Sequence, residues 1–302
     1  MKILFLAAYF IPERAASSYL SVNRNQAFAD AGFNMVVYTP IPTRGVSDEI
    51  RQEYKKRKLE KLFDDKMIVH RFALMREGSN SIKRAFRYVL NCIKLCCFGI
   101  FAKDARSCNI MFISSTPPIQ GAMAALIKKC RKIPFVYNLQ DIFPDSLVGT
   151  GMTKKGSFLW KIGRMIENFT YRNADKIIVI SEDFKKNIMA KGVPEEKIEV
   201  IYNWIDEKAV VPIARENNPL YEELGLNREK FNVVYAGNLG NAQNIDVIID
   251  SAKELVENKN IEFIIFGSGG LKEQFVKKVK DYGIDNVKFF PLQPMERVSY
   301  VY

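Results

Sequence analysis

Tyr235-Ala-Gly-Asn-Leu-Gly240, followed closely by Gln243-Asn244 and then by Ile264-Ile-Phe-Gly-Ser-Gly-Gly270, decides the fold. An apolar run over residues 232–236 leads into a glycine turn, and a helical pattern begins near Ile245. A second apolar run, over residues 261–266, ends in another glycine turn. Glycine turns at successive strand ends are how a parallel α/β sheet offers backbone N–H groups to an anion. A Cβ in such a turn would obstruct the approach of a phosphate. Neither turn has G-x-G-x-x-G spacing, so the pair reads as a nucleotide-sugar site and not a dinucleotide site. Gly237, Asn238, Leu239 and Gly240 are candidate diphosphate donors with Gln243 beside them, and Gly267 and Gly269 would admit the nucleobase end. The plain alternative for every one of them is a tight turn in any Rossmann-like sheet.

Downstream, a helix over residues 271–282 and a strand over 287–290 continue the series, and Pro294-Met-Glu-Arg297 begins another helix. Three strands make a thin doubly wound domain, and the expectation is a second domain left unfinished. Upstream, Pro212, Asn217, Asn218 and Pro219 interrupt a polar stretch that reads as a linker. The domains expected are therefore 1–205 and 206–302. The first alternates strands (3–8, 35–39, 67–72, 110–114, 135–139, 176–180 and 198–201) with helices that include 20–31, 81–103 and 119–130. Such alternation implies a mainly parallel sheet covered on both faces. The charged segment 48–66 reads as a solvated helix or excursion.

The chain has 302 residues, 48% hydrophobic and 26% charged, with a formal net charge of +11. A basic surface favours nucleic acid, anionic lipid or phosphorylated small molecules. No nucleic-acid-binding motif is legible and the basic residues are spread along the chain, so lipid and phosphate lead. Cys92, Cys96, Cys97, Cys108 and Cys130 lack metal-ligand spacing and His70 is the only histidine, so no metal site is expected. The first three of these cysteines fall on an apolar helical pattern and read as buried free thiols, which suits a reducing cytosol. The N-terminal apolar run is interrupted by Pro12 and Glu13, which reads as a first strand and not a signal peptide. No apolar run is long enough to span a bilayer.

In the helix over 81–103, Ile82, Phe86, Val89, Ile93, Cys96 and Ile100 share one face, taken as the core face. Lys83, Arg87 and Lys94 form a stripe opposite, and Leu95, Phe98 and Phe101 are surplus apolar positions. An amphipathic basic helix of this kind either lies in a membrane interface or is an ordinary buried helix.

Several further stretches carry a resemblance. They are Tyr9-Phe-Ile-Pro-Glu13, Asn138-Leu-Gln-Asp-Ile-Phe-Pro-Asp145, Tyr171-Arg-Asn-Ala-Asp-Lys-Ile-Ile-Val-Ile-Ser-Glu182 and Val200-Ile-Tyr-Asn-Trp-Ile-Asp206. With the two glycine turns and Asn286-Val-Lys-Phe-Phe-Pro-Leu-Gln-Pro294, the ordered set resembles glycosyltransferase family 4 nearly end to end. More narrowly it is similar to the bacterial transferases of fucosyl or N-acetylfucosaminyl-type sugars in capsule, O-antigen and colanic-acid assembly. The resemblance implies the α/β GT-B architecture, two Rossmann-like domains with the active site in the cleft between them. It also implies metal-independent, retaining transfer with no cofactor beyond a UDP- or GDP-sugar donor. Three departures stand out. Arg14-Ala-Ala-Ser-Ser18 replaces a glycine-bearing loop, and Gln140 stands where many relatives have histidine. The family's donor-binding Glu…Glu segment would follow Tyr302, so the chain is expected to be C-terminally truncated, binding nucleotide diphosphate weakly and transferring sugar poorly.

Asp141 follows the strand over 135–139, at the end where α/β proteins place ligands, and is the candidate catalytic residue, for orientation and not proton abstraction. Its alternative, shared by Asp145, is a turn cap. Glu13, Arg14 and Asn203 are the acceptor-binding candidates; Glu13 is otherwise a solvated loop carboxylate and Asn203 a cap. The leading expectation is an enzyme moving a hexosyl or deoxyhexosyl group to a polyprenyl-diphosphate-linked acceptor. It would be cytoplasmic and held on the anionic inner face of the plasma membrane through Lys83, Arg87 and Lys94. The alternatives are a non-catalytic remnant that binds membrane or acceptor, and a GT-B nucleotide-sugar epimerase.

Overall fold

The computed structural model describes residues 1–13, 18–76 and 81–302, so the candidate Arg14 lies outside the described residues. The chain divides into two compact units, Met1–Trp204 and Ile205–Tyr302. The first runs β1 (Lys2–Leu6), α1 (Ser18–Asp30), β2 (Asn34–Pro40), α2 (Asp48–Lys56), β3 (Leu59–Leu62), β4 (Met67–Phe72), α3 (Ser81–Phe101) and α4 (Lys103–Arg106). It continues through β5 (Ile110–Ser114), α5 (Ile119–Arg131), β6 (Phe135–Leu139), α6 (Asp145–Gly149), α7 (Phe158–Asn173), β7 (Lys176–Val179), α8 (Glu182–Ala190) and β8 (Ile198–Val200). These strands form one sheet in the order β3-β4-β2-β1-β5-β6-β7-β8. Every pairing is parallel except β3 with β4. The charged segment after Ser47 is thus a capped helix plus an antiparallel edge strand, not a mere excursion. Its strand pattern, Leu-Glu-Lys-Leu, is too short and polar to show periodicity.

Alternation along the central strands sorts side chains into two apolar layers. Leu4, Leu6, Val36 and Tyr38 face one layer, while Ile3, Phe5, Met35 and Val37 face the other. Each fully buried aliphatic side chain contributes roughly 1.5–3 kcal/mol. Helices α3, α5 and α7 lie side by side over the first layer, with α5 in the middle. Gly99 allows α3 to approach α5, since a Cβ there would stand 2.6 Å from the Ile127 Cδ1 atom. The last two long helices start on serine caps: Ser157 Oγ accepts the Trp160 N–H and Ser181 Oγ the Phe184 N–H.

The faces of α3 depart from the sequence expectation over the first part of the helix, although Cys96 and Ile100 of the expected core face do pack against the core. Arg87, Asn91 and Leu95 are wholly buried and Cys92 nearly so. Phe86, Val89, Ile93 and Phe101 are 61%, 44%, 55% and 73% exposed. Arg87 is therefore no membrane-facing cation. Its Nε donates to the Met75 carbonyl at 3.0 Å and a terminal nitrogen to Thr43 Oγ1 at 3.0 Å, which satisfies the charge inside. Lys94 donates to the Ala73 carbonyl at 2.8 Å, and Lys83 is exposed. Leu95 and Phe98 belong to the core, and Cys97 is exposed instead of buried.

The second unit runs α9 (Leu220–Glu223), β9 (Phe231–Asn238), α10 (Asp246–Glu254), β10 (Ile261–Ser268), α11 (Lys272–Tyr282), β11 (Val287–Phe290) and α12 (Val298–Val301). Its sheet is parallel in the order β11-β10-β9, three strands among the described residues. Gly283, at φ 64°, stops α11 in the left-handed conformation that favours glycine.

Candidate functional site

In the first unit the loops after β1, β2, β5, β6 and β8 all leave the carboxyl edge of one parallel sheet, the edge where such sheets bind ligands. Glu13, Thr43, Ser115, Asp141 and Asn203 are on these loops. Glu13 is buried, with its side chain turned into the protein. One carboxylate oxygen accepts the N–H groups of Thr43 at 2.8 Å and Arg44 at 3.0 Å, and the other accepts that of Phe10 at 3.2 Å. The solvated-loop alternative for Glu13 is thereby corrected: the carboxylate ties the β1 loop to the β2 loop. Arg71 reinforces the tie, donating to the Ile11 carbonyl at 2.7 Å while pairing with Glu60 at 2.9 Å. Arg44 is exposed beside this clamp, its guanidinium 5.4 Å from the centre of the Tyr9 ring.

Asp141 is exposed, and its Oδ2 accepts the Ser146 hydroxyl at 3.1 Å. That bond joins two side chains across the turn, and α6 starts on Pro144 with no side-chain cap, so the capping alternative for Asp141 is not what the structure shows. The neighbouring Gln140 is the hub of this edge. Its N–H donates to Ser115 Oγ at 3.0 Å, its side-chain amide donates to Asn138 Oδ1 at 3.1 Å, and it accepts from Asn203 Nδ2 at 3.0 Å. Asn203 is thus brought beside the Asp141 turn from the far end of the chain's first unit. Composition and spacing gave no sign of Ser115 or of this amide chain, because their meeting depends on the strand order.

The Asp141 turn rests on a rigid support. Gly163 of α7 lets Phe143 and Pro144 pack down, since a Cβ there would stand 2.7 Å from Pro144 Cβ. Lys191 Nζ bridges the carboxylates of Asp145 at 2.8 Å and Glu167 at 2.9 Å. Glu167 is buried and also pairs with Arg164 on the same helix. Burial raises the Asp145 carboxyl, but hydrogen bonding and charge from Lys191, with Asn187 and Arg164, outweigh it and hold the group below its ordinary value. Burial first, then the Glu167 charge, drives the hydroxyls of Tyr137 and Tyr171 well above the ordinary tyrosine range, so both stay protonated. These residues line a cavity of about 10 Å³ behind Asp141, room for about one water.

In the second unit, β9 and β10 run in register from Phe231–Ile261 to Asn238–Ser268, so Gly237, Asn238 and Gly267 are strand residues and not the turn residues expected, and the turns that follow them leave neighbouring strands at the same edge. Asn238 Nδ2 donates to Gln243 Oε1 at 3.1 Å and closes the first turn. A short 3-10 turn over Asn241–Gln243, with Asn244 at φ 49°, separates the strand from α10. Leu239 is a correction to the donor-binding set. Its side chain is wholly buried in the core, its N–H donates to the Ser268 carbonyl at 2.9 Å, and its carbonyl accepts the Leu271 N–H at 3.1 Å. Leu239 is the peg on which the turns pack. A Cβ on Gly269 would collide with the Leu239 backbone, and one on Gly267 would stand 2.8 Å from the Gly237 carbonyl oxygen. The second glycine turn therefore needs glycine for packing on Leu239, whatever else it admits. A Cβ on Gly237 meets only the hydroxyl tip of Tyr235, at 2.8 Å.

The family model described as Glycosyltransferase Family 4 matches residues 25–209, and that described as Glycosyl transferases group 1 matches residues 218–302. "Probable glycosyltransferase WbjE" of Pseudomonas aeruginosa is 26% identical over 222 residues, covering 74% of this chain and 54% of the relative. "Putative colanic acid biosynthesis glycosyl transferase WcaI" of Escherichia coli K12 is 29% identical over 171 residues, covering 56% and 42%. The chain spans about half the length of these curated relatives. Among solved structures, Anabaena Alr3699/HepE in complex with UDP and glucose superposes with a TM-score of 0.64. Its identity is 17%, with 99% of this chain and 71% of that chain covered. That likeness is one of fold, GT-B, with two Rossmann-like units.

Proposed function

The chain belongs to glycosyltransferase family 4, and on that premise we propose that it moves a hexosyl or deoxyhexosyl group from a UDP- or GDP-sugar to a lipid-linked saccharide. The observation that carries this reading is the pair of glycine turns at one edge of the second unit's sheet, both built around the buried Leu239. Backbone N–H groups at such a turn stabilise a leaving diphosphate as its charge develops, with no reorganisation at the moment of reaction. Gly237, Asn238, Gly240 and Gln243 bind the diphosphate, and Gly267 and Gly269 border the nucleoside. Asp141, Gln140 and Asn203 of the first unit bind and orient the acceptor. UDP in the Anabaena structure supports a nucleotide-sugar donor.

The transfer is retaining and metal-independent and uses no cofactor beyond the donor, the course the family resemblance implies. Asp141 therefore positions groups and abstracts no proton. The sugar is of fucosyl or N-acetylfucosaminyl type, the acceptor a polyprenyl-diphosphate-linked saccharide of capsule, O-antigen or colanic-acid assembly, and the protein works at the inner face of the plasma membrane. The colanic-acid relative supports the polysaccharide setting. Incubation with labelled UDP- and GDP-sugars and membrane-extracted acceptor tests the reading. Label in the lipid fraction, lost in Asp141→Asn, is the expected result; nucleotide-sugar epimerisation without transfer would overturn it.

A further inference from the structure

The outward faces of α3, α5 and α7 make one apolar and basic surface across the first unit. On α3 the exposed stripe Phe86, Val89, Ile93, Cys97 and Phe101 repeats at helical spacing, with Lys83 at its border. On α5, in the middle, Leu126 is 49% exposed beside the exposed Lys129. On α7, Phe158 and Met165 are 81% and 65% exposed, flanked by the exposed Lys161 and Arg172. The three helices are adjacent, and Lys129 Nζ lies 4.8 Å from the Phe169 ring, which stitches α5 to α7. Their only carboxylate is Glu167, which is buried and spent on Lys191 and Arg164.

We infer that this three-helix face is the surface by which the protein docks on an anionic phospholipid bilayer, with apolar side chains inserted and lysines and arginines around them. The inference rests on the lipid-linked acceptor proposed above and names the surface that brings the enzyme to it. Charge complementarity selects the occupant: outward cations and no outward carboxylate suit phosphate head groups, and a stripe of aromatic and aliphatic tips suits the acyl boundary. A depression of about 420 Å³ on α7, lined by Trp160, Lys161, Arg164, Phe169 and Arg172, offers cationic and aromatic contacts to one head group. The geometry differs from attachment through a basic stripe on α3. Arg87 is inside the protein, and insertion depends on Phe86, Ile93 and Phe101. Among the described residues no helix is long and apolar enough to cross a membrane, so the contact is one of helices lying in the interface.

Flotation with vesicles of phosphatidylcholine alone and of phosphatidylcholine with phosphatidylglycerol is the test, at low and at physiological salt. The parent chain should float with the anionic vesicles and much less with the neutral ones. Phe86→Ser, Ile93→Ser and Phe101→Ser together should abolish flotation with the circular dichroism spectrum unchanged. Each of Lys129→Ala, Lys161→Ala and Arg172→Ala should weaken it about five-fold at low salt. In Trp204→Phe, which leaves Trp160 as the sole tryptophan, the emission should shift to the blue on adding anionic vesicles. Absence of binding by the parent at low salt, or equal binding to neutral vesicles, overturns the inference. So does a dimer in sedimentation that the triple serine variant loses, which would make the occupant a second copy. UDP or GDP binding by calorimetry is the separate readout of the glycosyltransferase reading. A triple variant that keeps nucleotide affinity but not flotation isolates the docking surface.

Discussion

The Glu13 carboxylate accepts the Thr43 backbone N–H at 2.8 Å across 30 residues of chain, joining the loops that follow the first two strands. A charged acceptor serving three backbone amides fixes both loops at the carboxyl edge of the sheet. Glu13→Gln keeps the shape but replaces one accepting oxygen by an NH2 that faces N–H donors. The expected cost is about 1.5–3 kcal/mol, the range for hydrogen bonds to a charged group. Urea denaturation would read it as a lower midpoint with an unchanged slope.

Lys191 restrains the support of the Asp141 turn through two carboxylates at once. In the parent, Asp145 has a depressed pKa, so the stabilisation is present above the ordinary aspartate value of 3.8 and is lost as pH falls through the depressed one. Lys191→Met removes the depressing partner and leaves the burial. The Asp145 carboxyl carbon, followed by NMR, should then titrate at higher pH than in the parent. At neutral pH the variant should lose about 3 kcal/mol, because Glu167 stays buried with one partner fewer. The gap from the parent should narrow in acid, once Asp145 is protonated in both.

The glycine turns of the second unit separate by mechanism. Gly269→Ala drives a methyl into the Leu239 backbone and should destabilise this unit by about 1–3 kcal/mol. Gly237→Ala meets only the Tyr235 hydroxyl, which can swing from its 2.7 Å bond to the Asn238 carbonyl, so folding should survive. Loss of nucleotide binding in Gly237→Ala with an unchanged melting temperature would tie the first turn to the diphosphate. Undiminished affinity would move the phosphate elsewhere.

Asn203→Ala removes the exposed partner of Gln140 and should change stability by less than about 0.5 kcal/mol, as exposed substitutions do. Transfer should fall through a raised acceptor KM, with the donor KM unchanged. Ser115→Ala frees the Gln140 N–H and should produce the same kinetic split.

The α/β class, a glycine-rich end to each of β9 and β10 and the position of Asp141 after β6 were legible in the amino-acid order, because they follow from period-two and helical patterns and from glycine's missing Cβ. Both strands nevertheless run two residues further than expected and hold Gly237 and Gly267 as paired strand residues. Leu239 shows where that legibility ends: a residue inside a glycine turn reads as an exposed donor, yet its amide and side chain are spent on β10 and the core. The amide chain from Asn138 through Gln140 to Asn203 joins residues that only strand order brings together. In α3 the periodicity did not show which residues go inside: Cys96 and Ile100 pack on the core as expected, whereas Phe86, Val89 and Ile93 of the same set are exposed. Apolar burial alone favours the stripe with Phe86 and Ile93. Arg87 is nevertheless buried, and the Met75 carbonyl and Thr43 hydroxyl, 12 and 44 residues away in sequence, accept from its guanidinium there. A buried cation is tolerable only beside its acceptors, and where those acceptors lie is a property of the tertiary structure.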